Sequence, residues 1–350
     1  MKQIKVMLVG PAPHHKGGIA TLIRNMLKYK NESFQFTMHV ARPEGNILVK
    51  SFLVPIYTLY FVCRALIIKY DIVHIHTSEN WGFYRHIPII IVSKLLGIKV
   101  IIHSNACEFD SFFERQNKIQ KRIIKTTLNN ADLIIAVSPE WAKVFREISN
   151  TKVITIYNFI DIPDRNYYDM DSNYITTTGQ IGIRKGYYDI IKVVPSIIKD
   201  NSRIRFKFCG NGEGDKICEE INKLAISDRV EVSGWLHNSE IIELLKETMV
   251  FVLPSYNEGM PLAILEAMSY GVPIISTNVG GIPTLVEHGA NGLIISPGDI
   301  KHLEDSLRLL INDPGLRQRM SNNNYDKIKS KYSIESNMKN IYNIYFKLIA

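Results

Sequence analysis

The feature that most constrains this chain is an alternation of strand and helix signals that runs from end to end and restarts once. Short apolar runs at residues 4–10, 72–76, 100–103, 133–137 and 153–157 are each followed by a helical or irregular stretch, the first by a helical pattern over 19–28. A second series follows at 174–178, 204–209, 230–232, 250–253, 273–276 and 292–296, with a helix over 186–199. Strands that alternate with helices predict parallel sheets covered on both faces, and two such series predict two Rossmann-like domains. Between them, NFIDIPDRNYYDMDSN (158–173) is polar and irregular. It predicts a first domain over 1–160, a linker over 161–173 and a second domain over 174–332. From residue 299 the chain reads as helical, and its amphipathic end, KNIYNIYFKLIA, is expected to pack back on a domain as a helix over 333–350. Ligands of such folds sit at the carboxyl ends of the strands.

Composition narrows the class. A chain of 350 residues with 46% apolar and 22% charged residues is globular, not disordered. Four dispersed cysteines (Cys63, Cys107, Cys209, Cys218) without a CxxC pair argue against a disulfide framework and a structural zinc site. With no signal peptide visible in MKQIKVMLVG, a cytoplasmic location is expected. The apolar run 51–68, SFLVPIYTLYFVCRALII, contains Pro55 and Arg64, so it is expected to be a mostly buried helix, with a membrane-surface helix as the other reading. The net charge of +8 is uneven: residues 1–160 hold 21 Lys and Arg against 10 Asp and Glu (+11), and residues 161–350 hold 21 against 24 (−3). A basic half implies an anionic partner. No nucleic-acid-binding module is present, so an anionic membrane surface is favoured; Lys118, Lys121, Arg122 and Lys125 lie along one helix and could face lipid phosphates, with a solvated helix face as the other reading of that cluster.

Three segments could carry chemistry. GPAPHHKGGIATL (10–22) follows a strand and opens a helix, where Gly17 and Gly18 let the backbone approach an anion. The GxGxxG fingerprint is absent, which removes the main support for a nicotinamide oxidoreductase. GQIGIRKG (179–186) puts Lys185 and Arg184 before a helix start, a setting for a diphosphate. In LPSYNEGMPLAILEAMSYGVPII (253–275), Glu258 sits in a strand-end loop and Glu266 two turns into the next helix. These carboxylates could meet sugar hydroxyls and a ribose diol, with the amides of Gly259, Met260 and Leu262 forming a phosphate nest. Asp169-Met170-Asp171 is DxD-like but lies in the polar linker and reads as solvated.

The Glu258–Glu266 spacing resembles the E-x7-E motif of retaining glycosyltransferases of family 4, the glycosyl transferases group 1, which have the GT-B fold. The resemblance extends to GVPIISTNVGGIPTLVEHGANGLII (271–295), GQIGIRKG, the Gly17-Gly18 loop and AVSPEW (136–141). It implies an α/β GT-B architecture: two Rossmann-like domains whose parallel sheets face a central cleft, the first binding acceptor and the second donor, with the C-terminal helix crossing back to the first. It implies that Lys185 holds the donor diphosphate, that Glu258 serves the donor sugar and Glu266 the ribose, and that Gly17 and Gly18 close over the phosphates. His103, in IIHSNACEF, resembles the histidine near the sugar. Base contacts are expected from Gly210 and Asn211 and from Trp235 and Leu236. The chain departs from the family where Gly-Arg becomes Gly179-Gln180, which removes a charge that Arg184 is expected to replace. The resemblance implies sugar transfer from a UDP- or GDP-sugar to a glycan or lipid-linked acceptor in bacterial polysaccharide synthesis. It implies no metal or other cofactor, and a peripheral place on the inner face of the plasma membrane. A GT-B sugar-nucleotide epimerase and a non-catalytic nucleotide-sugar-binding assembly protein are the competing readings.

Overall fold

The computed structural model describes residues 3–41 and 47–350. The chain forms two compact units, Met1–Phe159 with Ile334–Ala350, and Ile160–Ser333. The first holds a parallel sheet of β1 (Ile4–Gly10), β2 (Phe34–Val40), β3 (Ile72–Thr77), β4 (Lys99–Ser104), β5 (Leu133–Ala136) and β6 (Val153–Thr155), in the order β2-β1-β3-β4-β5-β6. β1, β3, β4 and β5 are almost wholly buried, as strands of a two-sided parallel sheet should be, and all but β3, which carries His74 and His76, hold unbroken apolar runs. β2 is absent from the predicted strands. It is the half-buried edge of the sheet, and its polar Gln35 and Thr37 interrupt the apolar run that marks a central strand.

The helix Ile334–Ile349 belongs to this first unit. Its Met338, Ile341 and Tyr345 are buried against a core that includes Leu8, Phe34 and Ile72, and Tyr342 stacks on Phe34 at 4.5 Å. The apolar run 51–68 lies in a helix, Ile47–Ile68, but that helix is not mostly buried as expected. Phe61 and Ala65 face inward, whereas Ile56, Leu59, Tyr60, Leu66 and Ile67 are exposed, Ile67 by 80%. The reason is one of supply: a helix on one face of a sheet buries a single stripe, and this one is apolar nearly all round. Among the described residues no helix is long and apolar enough to cross a membrane.

The second unit holds β7 (Tyr174–Thr178), β8 (Arg205–Cys209), β9 (Val230–Ser233), β10 (Thr248–Leu253), β11 (Ile274–Thr277) and β12 (Gly292–Ile295), all parallel, in the order β12-β11-β10-β7-β8-β9. Its core is aromatic at one end: Tyr187 packs edge-on to Phe208 at 5.5 Å, beside Phe206. Residues 161–173, read from sequence as a linker, lie within this unit, and Tyr168 there donates to the Met249 carbonyl at 2.9 Å. In both sheets the chain winds one way from the first strand and then returns to wind the other way. The reversal falls between β1 and β3 in the first unit and between β7 and β10 in the second. At such a switch point the loops leaving the two strands diverge and open a crevice at their carboxyl ends.

Candidate functional site

In the second unit the switch point brings together two of the three segments singled out above. The loop after β7 carries Gly179–Gly186, and the loop after β10 carries Pro254–Pro261. Lys185 ends a single 3-10 turn, Ile183–Lys185, directly before the helix Tyr187–Asp200. Its Nζ lies 2.5 Å from Glu258 Oε1, and the two side chains are 11% and 7% exposed. Ser255 donates to the same carboxylate oxygen at 2.9 Å. Arg184 is half-exposed; its Nη1 donates to the Asn257 carbonyl at 3.0 Å and lies 3.8 Å from Glu258 Oε1. Tyr256 links the loops further, with its amide donating to the Arg184 carbonyl and its hydroxyl to Asp189, each at 2.8 Å. A buried charge needs a partner of opposite sign and good hydrogen bonds. Here Lys185 and Glu258 are each other's partners, and the chemistry the sequence assigned to two loops is one ion pair.

The remaining second-unit residues distribute around this pair. Gln180 is exposed on the β7 loop. Gly210 and Asn211 follow β8 and run beside that loop: the Gly179 amide donates to the Cys209 carbonyl and the Ile181 amide to the Asn211 carbonyl, at 2.9 and 2.7 Å. A Cβ on Gly210 would come within 1.6 Å of the Gly179 carbonyl oxygen, so only glycine permits this approach. Gly259 and Met260 are buried, and the Gly259 carbonyl accepts from the Gly281 amide at 2.7 Å. Leu262 begins the helix Leu262–Ser269, so Glu266 is its fifth residue: one turn into the helix, not two as the sequence suggested, because Pro261 is the N-cap. Trp235 and Leu236 lie half-buried in the loop after β9. Leu236 also lines a cavity of about 570 Å³ between β9 and the helix Asn238–Lys246, which includes neither Lys185, Glu258 nor Glu266. Asp169 and Asp171 are exposed, with the Asp171 amide donating to Asp169 Oδ1.

In the first unit, Gly17 is the N-cap of the helix Gly18–Lys28, which opens directly after the loop from β1. Ser138 of AVSPEW caps the helix Pro139–Ile148, accepting from the Trp141 amide, with Pro139 at a position that needs no N–H. His103 is fully buried on β4, opposite His76 of β3. It belongs to a cluster that sequence reasoning missed. His74 and His76 alternate on β3 and so face the same side of the sheet; the string IVHIHT was the available signal. His74 bridges Tyr345 and His103, with its Nδ1 2.6 Å from the Tyr345 hydroxyl and its Nε2 3.1 Å from His103 Nδ1. Burial holds all three imidazoles below the usual histidine pKa, His76 at about 4, so the cluster is uncharged at neutral pH. Ring nitrogens of His74, His76 and His103 lie within 4.8 Å of one another, but both nitrogens of His74 are already engaged.

Two family models match the chain. "Glycosyltransferase Family 4" covers residues 17–163, and "Glycosyl transferases group 1" covers residues 159–327, which includes the Lys185–Glu258 pair. The chain belongs to glycosyltransferase family 4. Among its curated relatives, this family 4 chain is 26% identical over 294 residues to N-acetyl-alpha-D-glucosaminyl L-malate synthase of Bacillus anthracis, covering 80% of this chain and 75% of that one. It is 28% identical over 310 residues to UDP-Gal:alpha-D-GlcNAc-diphosphoundecaprenol alpha-1,3-galactosyltransferase of Escherichia coli, covering 81% and 76%. Of the solved structures, HepE of Anabaena in complex with UDP and glucose matches with a TM-score of 0.76 at 17% identity, covering 98% and 99%. The two six-stranded parallel sheets are those of the GT-B fold.

Proposed function

We propose that this family 4 glycosyltransferase transfers a sugar, with retention at the anomeric carbon, from a UDP-sugar to a lipid-linked glycan of a bacterial surface polysaccharide. The observation that carries the reading is the buried Lys185–Glu258 pair at the switch point of the second unit. A cation held before a helix start, beside backbone amides, suits a leaving nucleoside diphosphate, whose negative charge grows as the sugar departs. UDP is favoured over GDP by the galactosyltransferase relative and by the UDP complex of HepE. In the proposed step the bond from the anomeric carbon to the phosphate oxygen breaks. The acceptor oxygen bonds to that carbon from the same face, and the acceptor proton passes to the departing phosphate. Lys185 and Arg184 receive the phosphate charge, the latter in place of the family arginine absent at Gln180. Glu258 and His103 hold the sugar and Glu266 the ribose. Gly17, Gly18 and the amides of Gly259, Met260 and Leu262 serve the phosphates, and Gly210, Asn211, Trp235 and Leu236 the base. No metal enters this scheme.

The test is calorimetric titration with UDP, GDP, ADP and NAD in EDTA, followed by turnover assays with the matching sugar nucleotides. Micromolar binding of UDP alone, with turnover that survives EDTA, is the expected result. Binding of NAD alone, or a strict need for a divalent ion, would overturn the scheme. In the same assay Gln180→Arg should keep or raise donor affinity; a large loss would show that the glutamine has a role of its own.

The acceptor side of the reading draws on the surface of the first unit. The helices Ile47–Ile68, Ile87–Leu95 and Lys118–Asn129 adjoin in sequence order. They expose Leu59, Ile67, Ile91, Leu95 and Ile119. A basic pocket of about 480 Å³ on the last helix is lined by Phe113, Lys118, Lys121, Arg122 and Lys125. Apolar side chains flanked by cations suit an anionic bilayer at its cytoplasmic face, at about 1 kcal/mol per cation. The protein should therefore sediment with phosphatidylglycerol vesicles and not with phosphatidylcholine vesicles, and replacing the four cations by glutamate should release it. Equal sedimentation with both lipids would remove the electrostatic part of this reading.

A further inference from the structure

The three buried histidines and Tyr345 form a chain whose hydrogens can be assigned. Tyr345 and His74 are fully buried, and among the described residues the Tyr345 hydroxyl bonds only to His74 Nδ1, at 2.6 Å. A phenol is the better donor and an imidazole nitrogen the better acceptor, and the short distance fits O–H···N. His74 must then carry its proton on Nε2 and donate it to His103 Nδ1 at 3.1 Å. His103 in turn must carry its proton on Nε2. His76 is set the opposite way. Its Nδ1 lies 3.3 Å from the Asn105 side-chain amide oxygen Oδ1, an acceptor, so the proton is on Nδ1 and Nε2 is bare. The two outer nitrogens, His76 Nε2 and His103 Nε2, are buried and make no hydrogen bond among the described residues. Their rings lie 4.7 Å apart.

We infer that His103 Nε2–H and His76 Nε2 form a donor–acceptor pair for one uncharged hydroxyl group, and that Tyr345 on the C-terminal helix fixes its polarity through His74. A hydroxyl accepts from His103 and donates to His76, so both buried groups are satisfied at once. A phosphate oxygen or carboxylate finds no second donor there, and a cation no charge. The reversed chain would leave the Tyr345 hydroxyl hydrogen buried without an acceptor, and would offer two bare nitrogens to a hydroxyl with one hydrogen. Either defect carries the desolvation penalty of a buried, unpaired polar group. The natural occupant is a sugar hydroxyl, which rests on the glycosyltransferase reading above. Tyr345 and His74 are then positioning residues that act through His103.

The experiment is ring nitrogen–proton correlation spectroscopy on the full chain labelled with 15N-histidine, without substrate, alongside kinetics of Tyr345→Phe. The wild type should show His74 and His103 protonated on Nε2 and His76 on Nδ1. Tyr345→Phe keeps the buried ring but removes the donor, so His74 and His103 should pass to tautomer mixtures. In that variant kcat should fall about tenfold, the value of one lost hydrogen bond, with KM for the donor nucleotide little changed. His103 protonated on Nδ1 in the wild type, or charged at neutral pH, would overturn the inference whether or not the protein turns over a sugar nucleotide. Altered tautomers in Tyr345→Phe with wild-type kcat would overturn the hydroxyl pair while leaving the glycosyltransferase reading intact. A wild type with the inferred tautomers but no turnover of any sugar nucleotide would uphold the hydrogen-bond chain and overturn the function instead.

Discussion

Lys185→Ala is expected to reduce sugar transfer by at least roughly thirtyfold, about 2 kcal/mol of transition-state stabilisation, and to destabilise the protein as well. The two losses have different origins. On the proposed function, transfer slows because the leaving diphosphate would lose a buried cation. Stability falls because Glu258, 7% exposed, loses the ammonium 2.5 Å away, while the Ser255 hydroxyl and the half-exposed Arg184 at 3.8 Å remain beside it; removing one member of a buried ion pair costs about 3–5 kcal/mol in other proteins. Glu258→Ala should do the reciprocal, stranding the ammonium. Replacing both by apolar residues of similar size, Lys185→Met with Glu258→Leu, should recover most of the stability, because neither charge then needs solvating, and should recover none of the activity. Urea unfolding and turnover, measured on the three variants together, separate the effects. A double variant that loses as much stability as the two single variants added together would show that the pair is not coupled. Wild-type turnover in Lys185→Ala would remove it from the site.

Gly280→Ala is expected to have the next largest effect, although residue 280 carries no chemistry. Its φ of +52° lies in the left-handed region, and a Cβ there would meet the Glu258 carbonyl oxygen at 1.7 Å. The conformation alone costs about 1–2 kcal/mol for an alanine. The contact is with backbone, so relief requires the Glu258 loop to move, and the Gly281 amide bond to the Gly259 carbonyl moves with it. Donor affinity should therefore fall together with stability, by at least ~2 kcal/mol in the latter. Unfolding curves and UDP titration test this together. Unchanged UDP binding in a folded Gly280→Ala protein would show that the Glu258 loop does not need its present course.

The way in which the sequence reading succeeded and failed follows from what is local. The alternation of apolar runs with helical stretches was legible because each element's burial is written in its own residues. The central strands β4, β10 and β11 each hold an unbroken apolar run, and β3 sets its apolar residues between buried histidines; all four are legible in the sequence. The edge strand β2 was missed because a strand covered on fewer sides carries fewer apolar residues. The helix Ile47–Ile68 was misjudged for the opposite reason: its apolar residues exceed what one sheet face can cover, and composition does not reveal what is left outside. GQIGIRKG and the Glu258 loop stand out as candidate loops because glycines, a proline and charges crowd at these strand ends, a local signal that needs no partner.

What the sequence by itself determined was thus the class of fold and the two loops that carry Lys185 and Glu258. Tertiary structure alone decided that these loops meet. Lys185 and Glu258 are 73 positions apart, and only the return of the chain to put β10 beside β7 makes them one ion pair. The same holds for Tyr345 and His74, 271 positions apart and joined because the last helix packs on the first sheet. Periodicity and turn chemistry report how each segment is buried. They carry no information on the order of strands in a sheet, and that order fixes which side chains share a site.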